Sequence, residues 1–383
     1  MQFTFQTTRS ILCEPGASGR IGEIVAGLGC RRVAFVTDKG ILEYGLAEKA
    51  LASLRAAGID VWVFSDVVAD PPEAMVLGAV AEARAHGVDG VVSVGGGSSM
   101  DTAKLIAALV ASDQPLATMY GVAQVKGGRL PLLLCPTTAG TGSEVTPIAI
   151  VTTGDAEKKG VSSPVLIPDW AVLDAELTLR LPRSVTAATG VDAMVHAIEA
   201  YTSKRLKNPV SDCLAREALR LLAGNIRTAC LEPQDIAARE AMLLGSMLAG
   251  QAFANAPVAA VHALAYPLGG HFHVPHGLSN ALVLPHVLAF NLPAASALYA
   301  ELAPVVFPEL SSGSEAVCAK GFVEGFAEMG AELGMVTRLA DVGVSHNNLP
   351  MLAEDAMKQT RLLINNPREM TYDDALAIYE RAL

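Results

Sequence analysis

Asp192 and His196 stand four residues apart in Gly190-Val191-Asp192-Ala193-Met194-Val195-His196-Ala197, so a helix places both on one face. Their neighbours are small or apolar, which puts that face in the interior, and a buried carboxylate needs a partner. An Asp–His hydrogen bond satisfies that demand. Two ligands of one metal satisfy it equally. Residues 241–300 add a second peculiarity, because they contain no Asp, Glu, Lys or Arg yet hold five of the eight histidines: His262, His271, His273, His276 and His286. A histidine-rich, charge-free interior suits backbone-satisfied core imidazoles or a metal or proton-transfer site. With His262 and His276, the pair on the helix becomes three imidazoles and one carboxylate, a donor set for Fe(II) or Zn(II) and a poor one for magnesium or calcium.

A membrane span would also be charge-free. Pro257, Pro267, Pro275, Pro285 and Pro293 are expected to cut this stretch into pieces too short to cross a bilayer as one helix.

A second group of candidates lies upstream, where the chain alternates short apolar strands with helices. The run Val33–Val36 ends at Thr37-Asp38, and helical periodicity follows over 40–57. Further strands are read at 61–64, 90–94 and 132–135, with helices over 73–86 and 100–111. Strands apolar on both faces predict a parallel sheet covered on both sides, with ligands at the carboxyl ends of its strands. Those ends carry Gly95, Gly96, Gly97 and Ser98 before a helix start, where glycine allows close approach of a pyrophosphate and free N–H groups favour an anion. Asp101 falls in the first helical turn. Thr137, Thr138 and Thr141 line the next strand-end loop. Asp38 is placed to accept from a ribose 2′-hydroxyl and to repel a 2′-phosphate, which favours NAD over NADP.

After Pro182 the alternation stops. Residues 182–383 read as helices, including 183–202, 209–230, 234–251 and 257–266. The expected organisation is an α/β NAD-binding domain over 1–181 and an all-helical metal-binding domain over 182–383, with the reaction in the cleft between them. A net charge of −11 argues against nucleic acid and anionic membranes as partners. The start MQFTFQTTRS lacks a signal peptide's apolar run, and the six scattered cysteines form no CxxC pair, so a cytoplasmic protein is expected.

The strings GGGSSMDTAK (95–104), PTTAGTGSEVTP (136–147), GVDAMVHAIEAY (190–201) and VHALAYPLGGHFHVPHG (261–277) resemble, in this order, the iron-dependent (group III) alcohol dehydrogenases. The likeness runs from VTDKG (36–40) to Asn366-Pro367-Arg368. It implies a Rossmann-like domain with a parallel sheet followed by an all-α domain, the dehydroquinate-synthase-like fold. By the same resemblance Asp192, His196, His262 and His276 are the metal ligands. Gly95–Ser98, Thr137, Thr138, Thr141, Asp38 and Lys158 contact the cofactor. Leu179 lies near the nicotinamide, Phe253 lines the substrate pocket, and the enzyme is a homodimer. Ile148 joins Phe253 in an apolar pocket for a small alcohol, diol or aldehyde. The expected chemistry is metal-assisted hydride transfer between alcohol and nicotinamide.

The sequence departs from the family pattern in three places. Tyr266 stands where many relatives have a histidine, and Tyr266 is the expected proton carrier in its place, with His271 or His273 as substitutes. Asp70-Pro71-Pro72 replaces an Asn-Pro, and His273 stands where Asp or Asn is common. No cluster of Arg or Lys accompanies the ligands in sequence. That argues against a maleylacetate-reductase-like enzyme, which acts on a carboxylated substrate, and against a dehydroquinate-synthase-like lyase. The non-enzymatic rival is a metal or nucleotide sensor.

Overall fold

The computed structural model describes residues 2–154 and 157–383, which form two compact units, Gln6–Arg180 and Leu181–Leu383 with the residues before Gln6.

The first unit runs β1 (Ser10–Cys13), α1 (Ile21–Gly27), β2 (Arg32–Val36), α2 (Lys39–Glu43), α3 (Glu48–Ala56), β3 (Asp60–Phe64), α4 (Glu73–Ala85), β4 (Gly90–Gly95), α5 (Gly97–Val110), β5 (Gly121–Val122), β6 (Leu132–Pro136), β7 (Ile148–Thr153), β8 (Glu157–Ser162) and β9 (Trp170–Leu173). Six strands pair in parallel in the order β1-β9-β6-β4-β2-β3. Strand side chains alternate faces, and both faces are dry. Val33, Phe35, Val92, Val94 and Leu133 belong to one core, Ala34, Val36, Val91, Leu132 and Leu134 to the other. This is the doubly covered parallel sheet expected from the apolar runs.

The chain passes from β2 to β3 on one side and then crosses to β4 on the other side of β2. The strand order reverses there, so the loops after β2 and β4 open into a crevice at the strands' carboxyl ends. The strand–helix alternation missed one element. Residues 148–153 and 157–162 form the antiparallel pair β7 and β8, with β5 beside β8. Its alternating half-buried and buried residues are an antiparallel signature.

The second unit is helical: α6 (Arg183–Thr202), α7 (Pro209–Leu231), α8 (Ile236–Asn255), α9 (Ala260–Phe272), α10 (His276–Val306), α11 (Glu315–Glu332), α12 (Leu349–Met357), α13 (Thr360–Leu363) and α14 (Tyr372–Ala382). The starts are set chemically. Asn208 caps α7 with Pro209 in the first turn, Asp235 caps α8, and Thr371 with Asp374 forms a capping box on α14.

The prolines do not divide residues 260–306 as expected. Helix α9 continues through Pro267, and α10 is one helix of 31 residues through Pro285, Pro293 and Pro304. Each proline removes a helix hydrogen bond, a cost of ~3 kcal/mol in an isolated helix. Packing of α10 against α6, α7, α9, α11 and α14 offsets it. The C-terminal segment also grips α10 beside Pro293. Asn291 and Asn366 exchange two amide hydrogen bonds (2.9 and 2.7 Å), and Arg368 donates to the Phe290 carbonyl at 2.8 Å. By length and composition α10 matches a membrane span, yet its buried Asn280 and Asn291 make their polar contacts inside the helical unit.

Candidate metal and nucleotide sites

Helix α6 presents Asp192, His196 and Glu199 at i, i+4 and i+7, one face of a helix. Helix α9 contributes His262, and the first turn of α10 contributes His276. One donor atom from each of Asp192, His196, His262 and His276 lies within 4.8 Å of the others. Asp192, His196 and His262 are buried, while His276 is partly open.

A ring stack holds the imidazoles in place. Phe253 on α8 packs on His196 at 4.3 Å and 18°, and His196 packs on His262 at 4.7 Å and 27°. Asp192 Oδ1 lies 3.6 Å from His276 Nε2 and 3.9 Å from His262 Nε2. Burial works against charge on Asp192, but the three imidazoles and the Asn280 amide outweigh it and keep the carboxyl below its usual range.

Asn280 Nδ2 donates to Asp192 Oδ1 at 2.6 Å and lies 3.3 Å from both His262 Nε2 and His276 Nε2. The acceptors therefore converge on one donor. A buried carboxylate and imidazole nitrogens aimed at a single point form a cation site, and the nitrogen-rich set suits iron or zinc.

Glu199, which received no role in the sequence analysis, organises this site. Its Oε2 is 2.7 Å from His262 Nδ1 and its Oε1 accepts from the Val261 N–H at 2.7 Å. An ionised carboxylate only accepts, so His262 carries its proton on Nδ1 and turns the Nε2 lone pair inward. The i+7 spacing from Asp192 was the available signal. Asn280 was missed as well, although it stands one helical turn after His276.

The three proton-carrier candidates separate. Tyr266 lies one turn beyond His262, with its ring 6.5 Å from that of His262 and 6.1 Å from that of His276. Burial pushes its phenol up, and the positive charge of Arg361 nearby pulls the other way without cancelling the shift. His271 does not reach the cluster. Nine residues beyond His262, it projects from the opposite side of α9 and pairs with Asp355 at 2.5 Å. His273 is exposed and ends α9 with φ 54°, a left-handed conformation that Asn and Asp adopt most readily, consistent with those residues being common there in relatives.

In the first unit a cleft of about 510 Å³ lies at the switch point, lined by Asp38, Ser65, Asp66, Gly96, Gly97 and Ser98 among others. Asp38 caps α2 by accepting from the Ile41 N–H at 3.0 Å. The Thr137 N–H donates to the Gly95 carbonyl, and a Cβ on Gly97 would meet Thr141 Cγ2 at 2.9 Å, so the glycine and threonine loops abut. Thr138 lies next to Gly96. The bare backbone at the start of α5 suits a pyrophosphate, and the cleft fits a dinucleotide.

Asp101 is not in this cleft. Its oxygens accept from Ser143 Oγ at 2.7 Å and the Ile150 N–H at 2.9 Å. The buried Lys104 Nζ, 3.8 Å from Asp101, donates to Ser143 Oγ, Thr146 Oγ1 and the Ile148 carbonyl. Asp101 therefore ties α5 to β7, and Ile148 joins it through its backbone. Lys158 pairs with Asp70 at 2.6 Å. Leu179 is half-buried just after the turn 175–178.

A family profile described as iron-containing alcohol dehydrogenase matches residues 8–175, and one described as the C-terminal part of the Fe-containing alcohol dehydrogenase family matches residues 186–383. The chain belongs to the iron-containing alcohol dehydrogenase family. Long-chain-alcohol dehydrogenase 1 of Geobacillus thermodenitrificans is 40% identical to it over 370 residues, 96% of this chain and 93% of that protein. The crystal structure of a 1,3-propanediol oxidoreductase superposes with a TM-score of 0.97 at 35% identity over 100% of both chains. Sulfoacetaldehyde reductase from Bifidobacterium kashiwanohense, solved with NAD+, gives a TM-score of 0.89 at 29% identity over 100% of this chain and 99% of that one. The iron-containing alcohol dehydrogenase described here is thus an oxidoreductase that interconverts alcohols with aldehydes or ketones. Its nitrogen-rich donor set fits iron, and its switch-point cleft fits NAD.

Proposed function

We propose that this protein is an NAD-dependent, iron-type dehydrogenase of small primary alcohols or diols, reducing the matching aldehydes in reverse. The observation that carries the reading is the convergence of Asp192, His196, His262 and His276 on one point. When bound, the divalent ion supplies Lewis acidity that acidifies an alcohol or polarises a carbonyl, and the nicotinamide accepts or returns the hydride.

The chain's own residues set the conditions. The four donors would hold the ion, with Glu199 fixing the His262 tautomer. Phe253 covers His196 and keeps water from that side, which strengthens the electrostatics. Tyr266 keeps its hydroxyl protonated beside His262 and His276, so it can both give and take a hydrogen bond and serves as the proton exit. Gly96–Ser98 and Thr138 would receive the pyrophosphate, and Asp38 the ribose hydroxyl.

A homodimer working in a reducing cytoplasm belongs to the same proposal. It is supported by the family resemblance and by six cysteines that form no disulfide. The test is NAD+ reduction by short alcohols and diols, on protein purified without oxygen, with and without Fe(II). Iron-dependent NADH formation supports the reading. Failure with every metal despite tight NADH binding would favour the sensor.

A further inference from the structure

A groove in the helical unit carries positive charge that no acid answers. One part, of about 590 Å³, is lined by residues including Arg205, Leu206, Thr360, Arg361 and Ile364. A second part, of about 380 Å³, is lined by Lys204, Arg205 and Ile364. Arg205 and Ile364 belong to both, so the two hollows adjoin. Among the described residues, neither has an aspartate or glutamate in its wall. Among the described residues Lys204, Arg205 and Arg361 form no ion pair. In a chain of net charge −11, three unanswered cations around one hollow reverse the local sign.

The groove is built from segments fixed to one another. The Lys204 N–H donates to the Asn365 carbonyl at 2.7 Å, Asn365 Nδ2 donates to the Val258 carbonyl at 3.0 Å, and Ser203 Oγ donates to the Pro257 carbonyl at 3.0 Å. These bonds hold the ends of α6 and α13 and the α8–α9 connection at set positions. The groove comes close to the metal site through Arg361. Its guanidinium lies beside Tyr266, where it opposes the upward push of burial on that phenol, and the Tyr266 ring lies about 6 Å from those of His262 and His276. Tyr266 thus stands between the guanidinium and the four donors.

Resting on the alcohol and aldehyde chemistry proposed above, we infer that the substrate carries a small anionic tail, which Arg361 and Arg205 hold while its reacting carbon sits at the four donors. Guanidinium forks match the paired oxygens of carboxylate, sulfonate and phosphate. The exposed side chains of Leu206 and Ile364 offer an apolar wall to the short chain between tail and carbon. Arg361 is then a specificity-determining residue, brought to the site from a distant part of the chain by the fold.

The test uses the metal-loaded enzyme with NADH and four aldehydes: sulfoacetaldehyde, succinic semialdehyde, glycolaldehyde phosphate and uncharged butanal. The expected result is a kcat/KM at least about tenfold higher for one anionic aldehyde than for butanal, and the best tail identifies the class. Arg361→Gln should lower that preference about 10–100-fold, mainly through KM, as loss of a charge-assisted hydrogen bond does. Arg361→Lys, which keeps the charge, should retain part of it and guards against a folding defect. Butanal reduced as well as or better than every anionic aldehyde overturns the inference and leaves the dehydrogenase standing. No reduction of any aldehyde overturns the dehydrogenase reading instead. The groove is then judged by calorimetric titration of ethanesulfonate, and equal binding to wild type and Arg361→Gln overturns it.

Discussion

Glu199 and His262 meet at 2.7 Å, carboxylate oxygen to Nδ1, and the same carboxylate takes the N–H of Val261. One buried acid on α6 therefore fixes both the ring and the backbone at the start of α9. Glu199→Gln leaves one acceptor where two are needed. Partners of this kind are worth 10–100-fold in metal affinity. The variant should lose iron to a chelator at about 10–100-fold lower chelator concentration than wild type, with NADH binding unchanged, because the nucleotide contacts lie in the other unit. Equal iron retention in the two proteins would remove Glu199 from the site.

Gly277 lets α10 start against α6. A Cβ there would lie 2.4 Å from the Ala188 carbonyl oxygen, a backbone atom that cannot swing away. Gly277→Ala should displace His276 and Asn280 together, abolishing metal-dependent turnover while the cofactor still binds. Metal content by elemental analysis and NADH fluorescence decide it, and retention of full metal content counts against the close approach.

Gly97 serves the other unit in the same way. Its added methyl would meet Thr141 Cγ2 at 2.9 Å and Oγ1 at 3.3 Å. Gly97→Ala should weaken NADH binding about tenfold or more. Thr141→Ser deletes the nearer atom, so the double variant should recover much of the affinity. An absence of rescue would place the damage in the backbone at Gly97 itself.

Glu144 brings pH into stability. Burial raises its carboxyl from 4.5 to about 7, and the nearby Lys104 only partly opposes that. Between those values the unfolded chain has released the proton and the folded chain still holds it, so stability falls as pH rises through that window. Complete ionisation would cost up to ~3 kcal/mol. Lys104, lowered by burial to about 8, acts in the other direction only above that pH. Glu144→Gln should flatten the decline in thermal midpoint between pH 5 and pH 7.5. An unchanged decline would assign it to other groups.

Apolar runs with glycine at their ends predicted the parallel sheet, because a strand buried on both faces has few residue types open to it. The i, i+4 spacing of Asp192 and His196 predicted a shared face, because helix geometry is local. Relations within one element, and the order of the motifs, were therefore legible by themselves. What the sequence left undecided concerns contacts between elements. The spacing of Asp101 and Lys104 could not reveal a bond network to Ser143 and Ile150. The prolines of α10 read as breaks because their cost is local, whereas the packing that offsets it comes from five other helices. His271 looked as available as Tyr266 until the turn of α9 set them apart. Arg361, 95 residues beyond Tyr266, came to lie near it only in the folded chain, because the approach of two side chains so far apart depends on every element between them.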